Sequence, residues 1–264
     1  MKMISFLLVL LCAALLSFIL WLLGCPRKCA VGDDGGQEPQ KNGTCSATAA
    51  NSPRRLGRIV CFGDSLTSCG GEEGRYSDML QQSLPEWEFV NSGLGGDTIG
   101  GGLARLQQAV LDHHPDYAVI GLGANDYWQR KRPLDDLRRD YEAIVSRCRA
   151  QGIRVVLISC FGNDALPPGE TIDFTKAGLS LEHYAAGLAL IERELAARYA
   201  CTYVPDMQAY VTPKGRPDLW SDSNHPNAAG NRIVADTILP ALRQRMADAQ
   251  NEDRPGTDGG NTHD

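Results

Sequence analysis

Three side chains in this sequence have the types and spacing that acyl transfer needs. Ser65 stands in Ile59-Val60-Cys61-Phe62-Gly63-Asp64-Ser65-Leu66-Thr67, where an apolar, β-prone run stops abruptly at Gly-Asp-Ser. A strand that ends this way presents a hydroxyl at the end of a sheet, within reach of a substrate. A serine nucleophile needs a base, and the base needs a partner that orients it. Of the five histidines, His113 and His114 close a predicted helix before Pro115, His183 falls inside another, and His263 is in the C-terminal tail. His225 lies in Trp220-Ser221-Asp222-Ser223-Asn224-His225-Pro226-Asn227, so one tight loop can carry both the base and its carboxylate, Asp222. The developing oxyanion needs N–H donors. Gly95-Gly96 offers a backbone donor and Asn125 a side-chain amide. Each cluster also has an ordinary use. Gly-Asp-Ser is common turn chemistry, Asp-Ser-Asn before a helix can be a cap, and Gly-Gly or Asn can simply stabilise a loop.

The elements that would position these residues alternate along the chain. Strands are expected at Ile59–Phe62, Trp87–Asn91, Asp116–Leu122, Arg154–Ser159 and Cys201–Val204. Helices are expected at Tyr76–Leu84, from Thr98 to about Asp112, and at Leu134–Gln151, Ser180–Tyr199 and Asn227–Met246. Within them Leu103, Leu106 and Val110 share one helical face, and Leu137, Tyr141, Ile144 and Val145 another. Ser180 has the chemistry of an N-cap. Strands alternating with helices imply an α/β fold with a mostly parallel five-stranded sheet and helices on both faces. Right-handed crossovers then bring every strand's C-terminal end to one edge, where ligands bind in open sheets. Asp64-Ser65, Gly95-Gly96 and Asn125-Asp126 all fall at such ends. The Pro- and Gly-containing stretch Gly162–Leu179 is a long loop and, with Tyr127–Pro133, is expected to shape a pocket. Trp128 and Arg130 are candidates there for stacking on a sugar or meeting an anion.

Gly63-Asp64-Ser65-Leu66 resembles the first block of the GDSL, or SGNH, hydrolases. Gly96 in Asn91-Ser92-Gly93-Leu94-Gly95-Gly96-Asp97-Thr98 is similar to the glycine of the second block. Gly123-Ala124-Asn125-Asp126 is similar to the third, and Asp222-Ser223-Asn224-His225-Pro226 to the last. The motifs stand in the family's order across nearly the whole domain. The resemblance implies a flavodoxin-like three-layer α/β/α sandwich with Ser65 as nucleophile, His225 as general base and then acid, and Asp222 orienting His225. It further implies an oxyanion hole made by the Ser65 and Gly96 N–H groups and the Asn125 side chain. The α/β-hydrolase elbow G-x-S-x-G does not fit, because Thr67 occupies the place of its last glycine. Ser68-Cys69-Gly70-Gly71 is one residue longer than the family's usual continuation, which brings Cys69 close to the pocket.

Composition narrows the alternatives. The chain has 264 residues, 43% hydrophobic and 22% charged, with a net charge of -6 and no basic block. Nucleic acid is therefore excluded as a partner. Gly93-Leu94-Gly95-Gly96 has neither GxGxxG spacing nor a P-loop lysine, which argues against a nucleotide site. No His, Asp or Glu cluster has ligand spacing and the nine cysteines form no paired CxxC, so neither metal nor cofactor is expected.

The N-terminal 25 residues are apolar from Ile4 to Leu23, near the ~20 residues that a spanning helix needs. Leu22-Leu23-Gly24-Cys25 also resembles a bacterial lipobox, in which Cys25 would be lipidated and become the mature N-terminus. A cleaved lipoprotein signal and a retained anchor therefore both stand. Either puts the protein at a membrane surface, extracytoplasmic in the lipoprotein case. Residues 26–55 read as a flexible linker, 56–246 as the hydrolase domain and 247–264 as a disordered polar tail. The domain's length of about 190 residues is ample for a buried core.

The expected activity is hydrolysis of an O-acyl ester on a small molecule or glycan. Carbohydrate O-deacetylation, lysophospholipid hydrolysis and thioester hydrolysis are all within the family's range. A non-catalytic, membrane-tethered glycan-binding domain and a flavodoxin-like flavin binder are the readings of other classes. The sequence does not fix the oligomeric state.

Overall fold

Five segments rich in β-branched and aromatic residues become strands. They are β1 (Gly57–Gly63), β2 (Trp87–Gly93), β3 (Tyr117–Gly121), β4 (Arg154–Ile158) and β5 (Thr202–Val204). The computed structural model describes residues 55–159, 166, 169–205 and 217–252. All four strand pairings are parallel, in the order β2-β1-β3-β4-β5. This is the flavodoxin-like order, and its switch point lies between β1 and β3. The register is level there: Gly63 stands opposite Gly93 on one side and Gly121 on the other. The loops that follow β1, β2 and β3 therefore leave the sheet side by side.

The helices are α1 (Ser65–Ser68), α2 (Tyr76–Ser83), α3 (Ile99–Ala109), α4 (Ala124–Gln129), α5 (Leu134–Ala150), α6 (Leu181–Arg198) and α7 (Ala228–Glu252). Strand side chains alternate between two apolar layers, as the two-residue pleat requires. Val60, Phe62, Ala118, Ile120, Val155 and Leu157 pack with α3, α5 and α6. Ile59, Cys61, Tyr117, Val119, Val156 and Ile158 pack with α2 and α7. With both faces covered, β3 is buried at every position, which is why its sequence is a continuous apolar run.

Three local features depart from the expected elements. The helix after β2 ends at Ala109, and Leu111–His113 tightens into a 3-10 turn, with His114 left-handed (φ 47°) ahead of Pro115. One-turn helices, α1 and α4, begin almost directly after β1 and β3. The last helix runs to Glu252, past the expected end at Met246 and into the stretch expected to be disordered. Met246 and Ala249, one turn apart, are both buried, and their packing holds this extra turn in place. The described part of the long loop lies against α5: Asp135 N–H donates to the Phe174 carbonyl, and the Arg138 guanidinium sits 4.8 Å from the Phe174 ring centroid. Among the described residues no helix is long and apolar enough to cross a membrane. The leader with Cys25, nearly all of the linker, the tail from residue 253 and residues 162–165 and 167–168 of the loop lie outside the described residues.

One polar group sits deep in the first layer. Glu192 of α6 is 1% exposed and hydrogen-bonded to Ser159 at the end of β4, while its Oε2 has no partner among the described residues. Burial pushes its carboxyl from the ordinary 4.5 up to about 8. An acid raised on folding leaves stability untouched below its unfolded value and weakens the fold as pH climbs through the folded one. Glu192→Gln keeps the shape and removes the ionisation. Thermal unfolding of the two proteins should coincide near pH 4, diverge in favour of the variant between pH 4.5 and 8, and run parallel above. The full separation is at most about 5 kcal/mol, since each tenfold change in proton affinity on folding is worth roughly 1.4 kcal/mol. Curves with one constant offset across this range would refute a buried, titrating Glu192.

Candidate active site

Ser65 is the first residue of α1, directly after β1. The preceding Asp64 caps that turn, its Oδ1 accepting from Leu66 N–H at 2.9 Å. The turn is also held from outside. Asn91 of β2 donates through Nδ2 to the Thr67 carbonyl at 2.7 Å, and Cys69 N–H returns to the Ser65 carbonyl at 2.8 Å. Ser65 is only partly buried. Its N–H belongs to the set of helix-start donors that an α-helix leaves without an internal acceptor.

After β2, Leu94 to Asp97 form a tight turn closed by Asp97 N–H on the Leu94 carbonyl at 3.1 Å. Gly96 is its third residue, with φ 77°, the left-handed value that a type II turn demands there. An added Cβ at Gly96 would meet nothing within 4 Å, so the requirement is conformational rather than one of space. Gly96 is exposed, and its N–H has no acceptor among the described residues.

After β3, Asn125 and Asp126 occupy the first turn of α4 and reach across to this same segment. Asn125 Nδ2 donates to the Asp97 carbonyl at 2.8 Å, and the Asp126 carboxylate accepts from Ile99 N–H at 2.8 Å. These bonds run in opposite directions two residues apart and lock the β3 loop to the start of α3. An amide nitrogen carries two hydrogens. Only one is used on Asp97, which leaves Asn125 an oriented donor for something else.

Asp222 and His225 lie in a loop pinched at its base. Trp220 and Pro226 form an antiparallel bridge, and Ser221 N–H donates to the His225 carbonyl at 2.8 Å. Asp222 Oδ1 accepts the N–H groups of Asn224 (2.7 Å) and His225 (2.9 Å), and Oδ2 meets His225 Nδ1 at 2.8 Å. These amide donors and the imidazole pull the Asp222 carboxyl down to about 2. The capping alternative does not apply to Asp222. Asn227 caps α7, its side-chain oxygen accepting from Ala229 and Gly230 N–H at 2.9 and 3.1 Å. His225 Nε2 has no partner among the described residues. By contrast His183 has both ring nitrogens engaged, with Ser180 Oγ at 2.8 Å and Glu170 at 3.1 Å.

The His225 loop and the Ser65 turn share one edge of the sheet. Asn231 of α7 donates to the Cys69 carbonyl at 3.0 Å, four residues past Ser65, and His225 acts electrostatically on Asp64. No hydrogen bond joins Ser65 Oγ to His225 among these contacts. Such bonds are often loose before substrate binds. Cys69 itself is half buried with its thiol pushed up by burial, so at neutral pH it is a protonated neighbour rather than a second nucleophile. Trp128 is 55% exposed on α4, beside Tyr127. Cys25 lies outside the described residues.

The loops that carry these residues also bury three carboxyl groups. Asp64, Asp97 and Asp126 are all buried. Burial first, then mutual repulsion, raises the Asp64 and Asp126 carboxyls to about 6. Among the described residues no group of His, Cys, Asp or Glu is arranged to hold a metal ion. Asp97, Arg105 and Asn231 carry no signal in the sequence. Arg105 and Asn231 are held on main-chain carbonyls and Asp97 on the Thr98 N–H and the Arg105 guanidinium, and no short motif reveals those partners.

Comparison with known proteins agrees with this architecture. Residues 61–233 match the GDSL-like Lipase/Acylhydrolase family. The chain is 30% identical over 192 residues to Esterase TesA of Pseudomonas aeruginosa, covering 70% of this chain and 87% of that protein. It is 29% identical over 126 residues to the Uncharacterized lipoprotein YqeF of Bacillus subtilis, covering 43% of this chain and 52% of the other. Among solved structures, the acetyl xylan esterase AlAXEase superposes with a TM-score of 0.55 at 27% identity, covering 70% of this chain and 99% of that one. The chain belongs to the GDSL-like lipase/acylhydrolase family, whose members are hydrolases acting on ester bonds.

Proposed function

We propose that this chain cleaves O-acyl esters through Ser65, His225 and Asp222, with a covalent acyl-enzyme. The observation that carries the reading is the Asp222–His225 pair. Nδ1 is held on a carboxylate and Nε2 is left over, on the edge where Ser65 and the spare donors lie. Ser65 Oγ attacks the ester carbonyl while His225 Nε2 takes its proton. Asp222, anionic down to about pH 2, keeps the imidazole in the tautomer that can accept and steadies the imidazolium. The oxyanion meets the Ser65 and Gly96 N–H groups and the second hydrogen of Asn125 Nδ2. The alcohol leaves with the proton from His225. A water then repeats the cycle on the acyl-serine and frees the acid.

For substrate we favour short acyl esters of carbohydrates. Trp128, on the helix that carries Asn125, offers an exposed ring face of the kind that stacks on a pyranose. The name of AlAXEase, an acetyl xylan esterase, points the same way. We also assign the enzyme to a membrane surface through Cys25 or an uncleaved leader. The lipobox-like Leu22-Leu23-Gly24-Cys25 and the lipoprotein name of YqeF support this. Mass spectrometry of the mature N-terminus tests it: a diacylglyceryl-modified Cys25 supports the lipoprotein form, and an unprocessed Met1 the retained anchor.

Ser65→Ala should cut turnover of p-nitrophenyl acetate by ~10⁴-fold or more without loss of the folded spectrum. Wild-type protein should be labelled at Ser65 by a fluorophosphonate; a folded protein that resists labelling would favour a glycan-binding domain instead. Asp222→Asn should lower kcat/KM by about 10²–10⁴-fold. Because Asp222 titrates near 2, far below the working range, this loss should appear at every pH from 5 to 9. Trp128→Ala should raise KM for acetylated xylo-oligosaccharide roughly three- to tenfold and leave p-nitrophenyl acetate unchanged. A preference for palmitoyl over acetyl esters would overturn the substrate assignment.

A further inference from the structure

Arg105 of α3 belongs to none of the motifs, yet it binds three of the segments that surround Ser65. Its Nη2 donates to the Gly63 carbonyl at 2.8 Å, the last residue of β1 and two before Ser65. Nη1 donates to the Ser92 carbonyl of β2 at 2.9 Å. Nε donates to Asp97 Oδ2 at 2.6 Å. The guanidinium lies 4.5 Å from the centroid of the buried Phe62 ring, which limits its tilt. Asp97 is fixed from the other side as well, its Oδ1 accepting from Thr98 N–H at 3.0 Å. The Asp97 carbonyl is in turn the acceptor that orients Asn125 Nδ2. Helix α3 can approach this closely because it opens on glycine: a Cβ at Gly101 would collide with Asp97 Oδ1.

We propose that Arg105 is a positioning residue for the oxyanion donor Asn125, acting through Asp97, with its bonds to the Gly63 and Ser92 carbonyls fixing the guanidinium that holds Asp97. The role rests on the acyl-transfer reading above. It needs the planar fork of arginine, because two carbonyls and a carboxylate are held from one rigid group. An ammonium at the end of a flexible stem can keep the Asp97 ion pair but not both carbonyls. Catalysis depends on donors that are already aimed when charge develops. Loosening the fork should therefore slow the chemical step and leave ester binding nearly unchanged.

A double-mutant cycle with Asn125 tests this. Arg105→Met should lower kcat on p-nitrophenyl acetate about 30- to 100-fold with KM within about threefold, and Arg105→Lys about tenfold. Asn125→Ala should cost about 10²–10³-fold by itself. In the Asn125→Ala background either Arg105 substitution should cost only a further few-fold, since the donor it aims is gone. A merely structural arginine would give losses that multiply, or a change in KM, and either result overturns the proposal. If Arg105→Met fails to fold, the Arg105→Lys cycle decides on the same criteria. A slow Asn125→Ala beside a fully active Arg105 variant removes the positioning role alone. Full activity in Asn125→Ala removes the oxyanion assignment on which that role depends.

Discussion

The pair of bonds between the β3 loop and the start of α3 is the constraint on which the site's geometry hangs. Asn125 gives a hydrogen to the Asp97 carbonyl and Asp126 takes one from Ile99 N–H, each at 2.8 Å. Either bond alone would leave the two loops free to hinge. Both together fix their separation and relative rotation. The level ends of β1, β2 and β3 supply the starting point, with Gly63 aligned to Gly93 and Gly121. A further tie, Leu94 N–H on the Gly63 carbonyl at 3.0 Å, brings the Gly96 turn against the end of β1. The three loops thus form one piece, built on β1 and β3, which are almost wholly buried, and on β2, which is partly so. Sites carried on such rigid elements hold their geometry better than sites on free loops.

That rigidity carries an electrostatic cost. Asp64 and Asp126 are buried with their carboxyls raised to about 6, and Asp64 Oδ2 finds no hydrogen-bond partner among the described residues. The carboxylates are needed as acceptors: Asp64 caps the Ser65 turn, and Asp126 receives the first amide of α3. Arg105 offsets Asp97 directly, and Arg132 draws the Asp126 carboxyl down part of the way. The remaining negative field has opposite effects on the two charges formed in acyl transfer. It disfavours an oxyanion, so the N–H donors must be close and aimed. It favours an imidazolium, since a charged His225 and the Asp64 carboxylate attract each other.

Much of this is legible in the sequence because the signals are local. Each strand is an apolar run bounded by turn residues, and the motif residues fall where those runs stop. The five-stranded α/β/α layering follows from alternation alone. Other features escape because their causes are distant in sequence. Arg105 reads as one polar residue on an amphipathic helix, yet its acceptors lie 13 and 42 residues earlier. Glu192 belongs to no motif, and its buried contact with Ser159 joins residues 33 apart in the chain. The end of α7 is hidden because the stretch from Ala247 to Asp264 is polar by composition, while Ala249 finds a buried place beside Met246. For Asp222 the competing cap reading is open in sequence, and only Asn227's own bonds to the first turn of α7 decide against it.

The two halves of the candidate machinery are built in contrasting ways. The Ser65 half is embedded in the sheet and cross-tied at several points. The Asp222–His225 half is a small module that organises itself, with carboxylate, imidazole and two main-chain amides within one turn. What brings the module to Ser65 is the docking of α7. Val234, Ile238 and Leu242 pack in the same apolar layer as Tyr76 and Leu80 of α2, and Asn231 reaches the Cys69 carbonyl. Small shifts of α7 would therefore move the base as a unit while leaving its internal geometry intact. The alignment of His225 with Ser65 is thus a matter of helix packing on the far layer of the sheet. The aim of the proposed oxyanion donors is a matter of the hydrogen bonds that tie the β3 loop to α3.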